Sequence, residues 1–153
     1  MTNSETVSAV VLEAEVSEER LALLEERLDE YNSRHSPVLQ RLNQLPEQGD
    51  EPVQVYLVQE GRMIGGLTGR TWADWLVIDM FWVHEDHRGA GLGGRLLAAA
   101  EEIAEERGCT RARTETWDFQ SPKFYLGHGF RIVGEVPDFP PGAVEYILAK
   151  DLA

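Results

Sequence analysis

The sequence predicts an α/β domain built on a mixed sheet, and three observations carry that expectation. Apolar residues recur with period two from Val53, and the pattern reads as a three-stranded meander ending at Val83. A glycine-rich turn, Gly89 to Gly94, then opens a stretch of helical spacing that runs to Arg107. Strand-like and helix-like segments alternate from there to the C-terminus. The 153 residues suit one domain, expected over 1–153, and 42% of them are apolar, enough for a single core.

Ser8 to Val16 is a mixed apolar stretch that reads as a first strand. Ser17 can cap the following helix, with Glu18 and Glu19 favourable in its first turn. Leu21, Leu24, Leu28 and Tyr31 give that helix one apolar face. Pro37, Pro46 and Gly49 then leave room only for a short second helix over Val38 to Leu45. Val53, Val55 and Leu57 open the meander, and Glu60-Gly61-Arg62 reads as a hairpin turn into Met63 to Gly69. A loop over Thr71 to Asp74 leads to Trp75 to Val83. This third strand is apolar on both faces and is expected at the centre of the sheet.

The helix after the glycine turn has Leu92, Leu96, Leu97, Ala100, Ile103 and Ala104 as its stripe, with Gly108 as its stop. Arg111 to Trp117 reads as another strand. Ser121-Pro122 is a cap and first-turn proline for a short helix ending near Gly127. Phe130 to Val136 and Val144 to Lys150 close the sheet through a turn over Asp138 to Gly142.

Charge narrows the function. Lys and Arg number 14 against 27 Asp and Glu, a formal charge of -13. Nucleic acids and anionic membranes need basic patches, so neither is expected as a partner. The acid reads as a solvated surface. An acidic mouth for a cationic substrate, or adaptation to high salt, would give the same count. No apolar run is long enough to span a bilayer, and Met1 to Glu5 lacks the regions of a signal peptide, so the expected location is cytoplasmic. Cys109 is the one cysteine, which excludes an intrachain disulfide and argues against a Cys-based zinc site. It reads as an inert loop thiol. His84 and His87 lack a convincing ligand set, and no metal is expected.

The segment from Val83 to Leu97 is the most informative. A strand delivers the chain to a glycine-rich helix start, where free N–H groups and the helix dipole make an anion site. Gly91, Gly93 and Gly94 lack side chains, so a pyrophosphate can approach the backbone closely. Gly89-Ala90-Gly91-Leu92-Gly93-Gly94 also satisfies the dinucleotide-binding fingerprint, with Glu115 at about the right distance to meet a ribose. Against that stand the five residues between Val83 and Gly89, the antiparallel hairpins upstream, and a remaining chain too short for a doubly wound sheet.

Arg88-x-x-Gly91-x-Gly93 resembles the arginine or glutamine-x-x-Gly-x-Gly/Ala motif of the GNAT superfamily, the Gcn5-related N-acetyltransferases. Val83 stands where that family has its strand-ending valine. Farther on, Phe124-Tyr125-Leu126-Gly127-His128-Gly129-Phe130 resembles the family's Leu/Phe-Tyr-x-x-x-Gly-Phe segment. The sequence departs from the family at Asp118, where many members carry an asparagine seven residues before the tyrosine.

The resemblance implies a GNAT-like domain with a mixed, mostly antiparallel sheet flanked by helices. It implies transfer of an acetyl group from acetyl coenzyme A to an amine, with no metal. Phe81, Trp82 and Val83 would line the pantetheine arm, and Arg88, Gly89, Ala90, Gly91, Leu92, Gly93 and Gly94 would hold the pyrophosphate. Tyr125 is the family's usual general acid towards the coenzyme A thiolate; a core tyrosine with a satisfied hydroxyl is the other reading. Family members are often dimers, so a homodimer is expected by resemblance.

Direct transfer requires the ammonium to lose a proton and the oxyanion to find a donor. Asp79 is the one charged residue in Trp75 to Val83. It either serves the acceptor amine or pairs with a buried arginine. Glu115 is the second candidate base, or else a solvent-facing edge residue. Trp72, Trp75 and Phe119 are candidate walls around a cationic amine, or ordinary packing. The acceptor is expected to be a small-molecule primary amine. A protein N-terminus or lysine, or a non-catalytic module that binds acetyl coenzyme A, are the alternatives.

Overall fold

The computed structural model describes residues 8–46 and 49–152. The chain divides into two compact units, 1–40 and 41–153.

In the first unit, α1 (Glu18–His35) begins at the predicted cap. The Ser17 hydroxyl accepts from the Arg20 N–H at 3.1 Å, and Glu18 and Glu19 occupy the first turn. The strand expected over Ser8 to Val16 does not form; these residues have no regular structure. Val10, Val11 and Leu12 are consecutive, so the apolar side chains keep to no single face. A strand is also defined by its pairing, which a lone segment cannot supply. The boundary between the units falls inside α2 (Pro37–Asn43), which starts on a proline and ends before the expected Leu45.

The second unit holds β1 (Glu51–Gln59), β2 (Arg62–Trp72), β3 (Trp75–Val83), a 3₁₀ turn (Glu85–His87), α3 (Leu92–Glu106), β4 (Arg111–Trp117), α4 (Pro122–Gly127), β5 (Arg131–Pro137) and β6 (Val144–Asp151). The strands form one sheet in the order β1-β2-β3-β4-β6-β5. Every neighbouring pair is antiparallel except β3 and β4. The sheet is therefore mixed and mostly antiparallel, with β3 central as expected.

Both turns of the meander are two residues long with positive φ at each: Glu60 (50°) and Gly61 (76°), then Ala73 (52°) and Asp74 (69°). Such turns match the twist of the strands they join. The second replaces the expected loop over Thr71 to Asp74, since Trp72 and Trp75 pair directly across it. Ala73 gives no turn signal, so the sequence lengthened this connection.

Helix α3 packs on β1, β2 and β3. Val53, Leu67, Leu76 and Ile78 of the sheet meet Leu96, Leu97, Ala100 and Ala104 of the helix in one buried cluster, which Tyr125, Phe130 and Leu148 extend. At the far end of α3, the Arg107 guanidinium donates to the carbonyls of Glu51 and Pro52 and to the Thr71 hydroxyl. Lys150 of β6 meets Glu101 of α3 at 2.7 Å, with both side chains more than four-fifths buried. Cys109 is buried, and that burial, followed by the Asp74 carboxylate, pushes its thiol pKa up.

Candidate functional site

The site begins with a slip in strand register. Thr68 pairs with Met80 and Gly69 pairs with Ile78, which leaves Asp79 as the extra residue of a β-bulge. Strict alternation would put Leu76, Ile78, Met80 and Trp82 on one face. The bulge resets the phase. Leu76 and Ile78, then Phe81 and Val83, all meet the core, while Met80 and Trp82 are 67% and 43% exposed. Gly69 makes the bulge feasible, because a Cβ there would lie 2.1 Å from the Val77 carbonyl oxygen.

A bulge also bends its strand. The parallel pairing of β3 with β4 runs only from Trp75/Arg111 to Ile78/Thr114. Beyond it the two strands diverge, and Met80 to Val83 keep β2 as their one paired neighbour. Where β3 leaves off, the Thr114 hydroxyl donates to the Ile78 carbonyl at 3.4 Å.

Two cavities open around this divergence. One, of about 990 Å³, contains the glycine loop, Phe81 to Val83, and Phe124, Tyr125 and His128 from the α4 region. The other, of about 800 Å³, is lined by Arg70, Trp72, Trp75, Arg113, Trp117 and Glu145 among others. They share Asp79, Thr114, Glu115, Thr116, Trp117 and Gln120. The cavities therefore meet at the split between β3 and β4.

Of the predicted cofactor residues, Phe81, Trp82, Val83, Arg88, Gly89, Gly91, Leu92, Gly93 and Gly94 line the first cavity, and Ala90 does not. Gly91 precedes helix α3 as its N-cap, in the left-handed region (φ 76°), with no side-chain cap and no acid in the first turn. Its leading N–H groups therefore face no side-chain acceptor of their own helix. The Arg88 Nε donates to the Val83 carbonyl at 3.0 Å, tying the loop to the strand end. Gly93 admits the Phe124 ring, 3.2 Å from where its Cβ would be. Asp118, the departure from the family motif, lines neither cavity.

Tyr125 is 5% exposed, and its ring packs edge-on against Phe81 and Phe130. Burial raises its phenol pKa above the ordinary 10.0, and the neighbouring Thr114 hydroxyl opposes the rise. The group is thus a protonated donor at neutral pH. Asp79 lines both cavities and is exposed, with no hydrogen bond or ion pair among the described residues. No arginine pairs with it. Glu115 is shared too, and Arg113 approaches its carboxylate at 3.5 Å. Trp72 and Trp75 line the second cavity, whereas Phe119 lines the first and stacks on Trp117 at 5.6 Å.

Sequence reasoning missed Arg70, Arg113, Thr114, Trp117, Gln120, His128 and Glu145. Period two along β4 does group Arg113, Glu115 and Trp117 on one face. Glu145 joins them only through its pairing with Trp117, which no local signal reveals. Gln120 braces the turn after β4, its side-chain carbonyl accepting from the Trp117 N–H at 2.9 Å and the Thr116 hydroxyl at 3.0 Å.

The acetyltransferase (GNAT) family model matches residues 20–130. A blasticidin-S acetyltransferase of Streptomyces morookaense is 43% identical over 131 residues, which span 82% of this chain and 96% of that relative. The crystal structure of an acetyltransferase from Bacillus cereus superposes with a TM-score of 0.82 at 30% identity, over 93% of this chain and 98% of that one. A Bacillus anthracis structure solved with acetyl coenzyme A shares the fold, with a TM-score of 0.61 at 21% identity over 73% of this chain and 68% of its own. This chain belongs to the GNAT family of acetyltransferases and is an N-acetyltransferase.

Proposed function

We propose that the enzyme moves the acetyl group of acetyl coenzyme A directly onto the primary amine of a small cationic molecule. The observation that carries this reading is the junction of the two cavities at Asp79 and Thr114 to Trp117. A thioester lying in the glycine-loop cavity would present its carbonyl where an amine in the other cavity can reach it. The relative from Streptomyces morookaense is named for blasticidin S, which favours a small-molecule acceptor.

In this reading the uncapped start of α3 and the Arg88 to Gly94 loop receive the pyrophosphate. The free edge of Asp79 to Val83 lies along the pantetheine arm, where its backbone groups can pair as another strand would. Asp79, with Glu115 as the second candidate, takes the proton that the ammonium must lose. The amine nitrogen then attacks the thioester carbon, the nitrogen of the tetrahedral intermediate gives its second proton to solvent, and the C–S bond breaks. The departing thiolate takes the phenolic proton of Tyr125. The Thr114 hydroxyl, next to Tyr125, can turn towards the phenolate and stabilise it until solvent restores the proton.

One acetyltransferase domain over 1–153 is part of this proposal, supported by a family match that crosses the boundary between the two units. The test is thiol release from acetyl coenzyme A across small amines, protein N-termini and lysine peptides. Small cationic amines should give the highest kcat/KM. A preference for peptides would move the acceptor to the protein class. Tight cofactor binding without thiol release from any amine would make the chain a binding module.

A further inference from the structure

The acceptor cavity contains charges of both signs, and the pairing among them is uneven. Both arginines have partners. Arg70 meets Asp50 at 2.9 Å, and Arg113 meets Glu115 at 3.5 Å. Two carboxylates lining the cavity, Asp79 and Glu145, have no hydrogen bond or ion pair among the described residues. The lining itself sets Arg70 and Arg113 against Asp79, Glu115 and Glu145, two positive and three negative charges, and Asp50 outside the lining offsets Arg70.

The two unpaired carboxylates lie far apart. Asp79 is on β3 at the junction with the cofactor cavity. Glu145 is on β6, opposite Trp117 of β4, so its backbone lies two strands away from Asp79. Two strand spacings make this at least about 10 Å, and the divergence of β3 from β4 widens it. Glu145 shares a face with its partner Trp117, because directly paired residues point the same way. The Trp117 indole N–H donates to the Phe139 carbonyl, which fixes the ring as a wall beside that carboxylate. A carboxylate beside a fixed aromatic ring suits an organic cation, which can satisfy both.

Resting on the proposed small-molecule transfer, we infer that the acceptor carries a second cationic group, an amine or guanidine remote from the acetylated nitrogen, and that Glu145 beside Trp117 binds it. Asp79 and Glu145 then select for distance as well as charge. The reacting ammonium sits at the junction, and the second cation sets how far the molecule extends from it.

The test compares hexylamine, hexamethylenediamine and aminohexanoate, which share a six-carbon chain and differ in the remote group. Binding is measured by calorimetry and turnover by thiol release, in native protein and in Glu145→Gln. The diamine should exceed hexylamine roughly ten- to hundredfold in affinity and in kcat/KM, as one charge-assisted contact provides. In Glu145→Gln that ratio should fall close to one, with an unchanged melting temperature. A native ratio near one, an unaltered ratio in Glu145→Gln, or tightest binding of aminohexanoate would each overturn the inference. Glu145-dependent diamine binding without turnover would sustain the cation site and reject the transfer reading.

Discussion

The two halves of β3 are held in different ways. Trp75 to Ile78 pair with β2 on one edge and β4 on the other, and Leu76 and Ile78 point into the core. Met80 to Val83 pair with β2 alone, and Asp79 between the halves has no register partner. Unpaired backbone groups are costly when buried and useful when a ligand can pair with them. One strand is therefore held on both edges up to Ile78 and open on one edge beyond it, where the proposed cofactor arm would lie, and the bulge at Asp79 divides the two. The comparison teaches that stability and chemistry can be separated within one short segment, provided the register slips at the boundary.

Substitutions can break or sharpen that division. The largest effect is expected next to the second half, at Tyr125. Tyr125→Phe keeps the ring against Phe81 and Phe130 and should lower single-turnover rates roughly 10²- to 10⁴-fold with little change in cofactor affinity. A native rate in that variant would remove the tyrosine from proton transfer. The raised pKa fixes the sign of its pH dependence. The acid is competent below its pKa, so its alkaline limb should fall higher than that of an ordinary phenol.

The first half should respond in the opposite manner. Leu76→Ala removes a fully buried side chain and should cost about 2–5 kcal/mol of unfolding free energy, read by denaturant titration. Turnover per folded molecule should stay near native, and a large loss of turnover would dissolve the separation. A smaller effect is expected at the divide. Asp79→Asn should lower turnover by about ten- to hundredfold, because the amide cannot take the proton, and leave the melting temperature unchanged. Normal kinetics would pass that role to Glu115. Gly69→Ala probes the same point through the backbone. Its methyl group must displace the Val77 carbonyl, so stability and turnover should fall together. In the double variant with Asp79→Asn, the turnover losses should add to less than their sum.

What the sequence made legible follows contiguity. The glycine loop, Phe124-Tyr125 and the three-stranded meander are written in consecutive residues, and each has a local physical signature. The bulge is not. Trp75 to Val83 is apolar on both faces, so a one-residue slip leaves no trace in its periodicity. Glu145 and Arg70 were equally hidden, because strand register across the sheet brings them to the cavity. Ser8 to Val16 misled for a related reason: apolar composition was read as a strand with no neighbour identified to pair with it.

The position of the aromatic residues has an optical consequence. The chain has four tryptophans, at 72, 75, 82 and 117, and each of them lines one or both cavities. Intrinsic fluorescence therefore arises at the site with no tryptophan background from elsewhere. Trp82 belongs to the glycine-loop cavity alone, Trp72 and Trp75 to the other alone, and Trp117 to both. Single replacement of Trp82 or Trp75 by phenylalanine would assign emission changes to one compartment or the other. Occupancy of the two could then be followed separately in one unlabelled sample, including the order in which they fill.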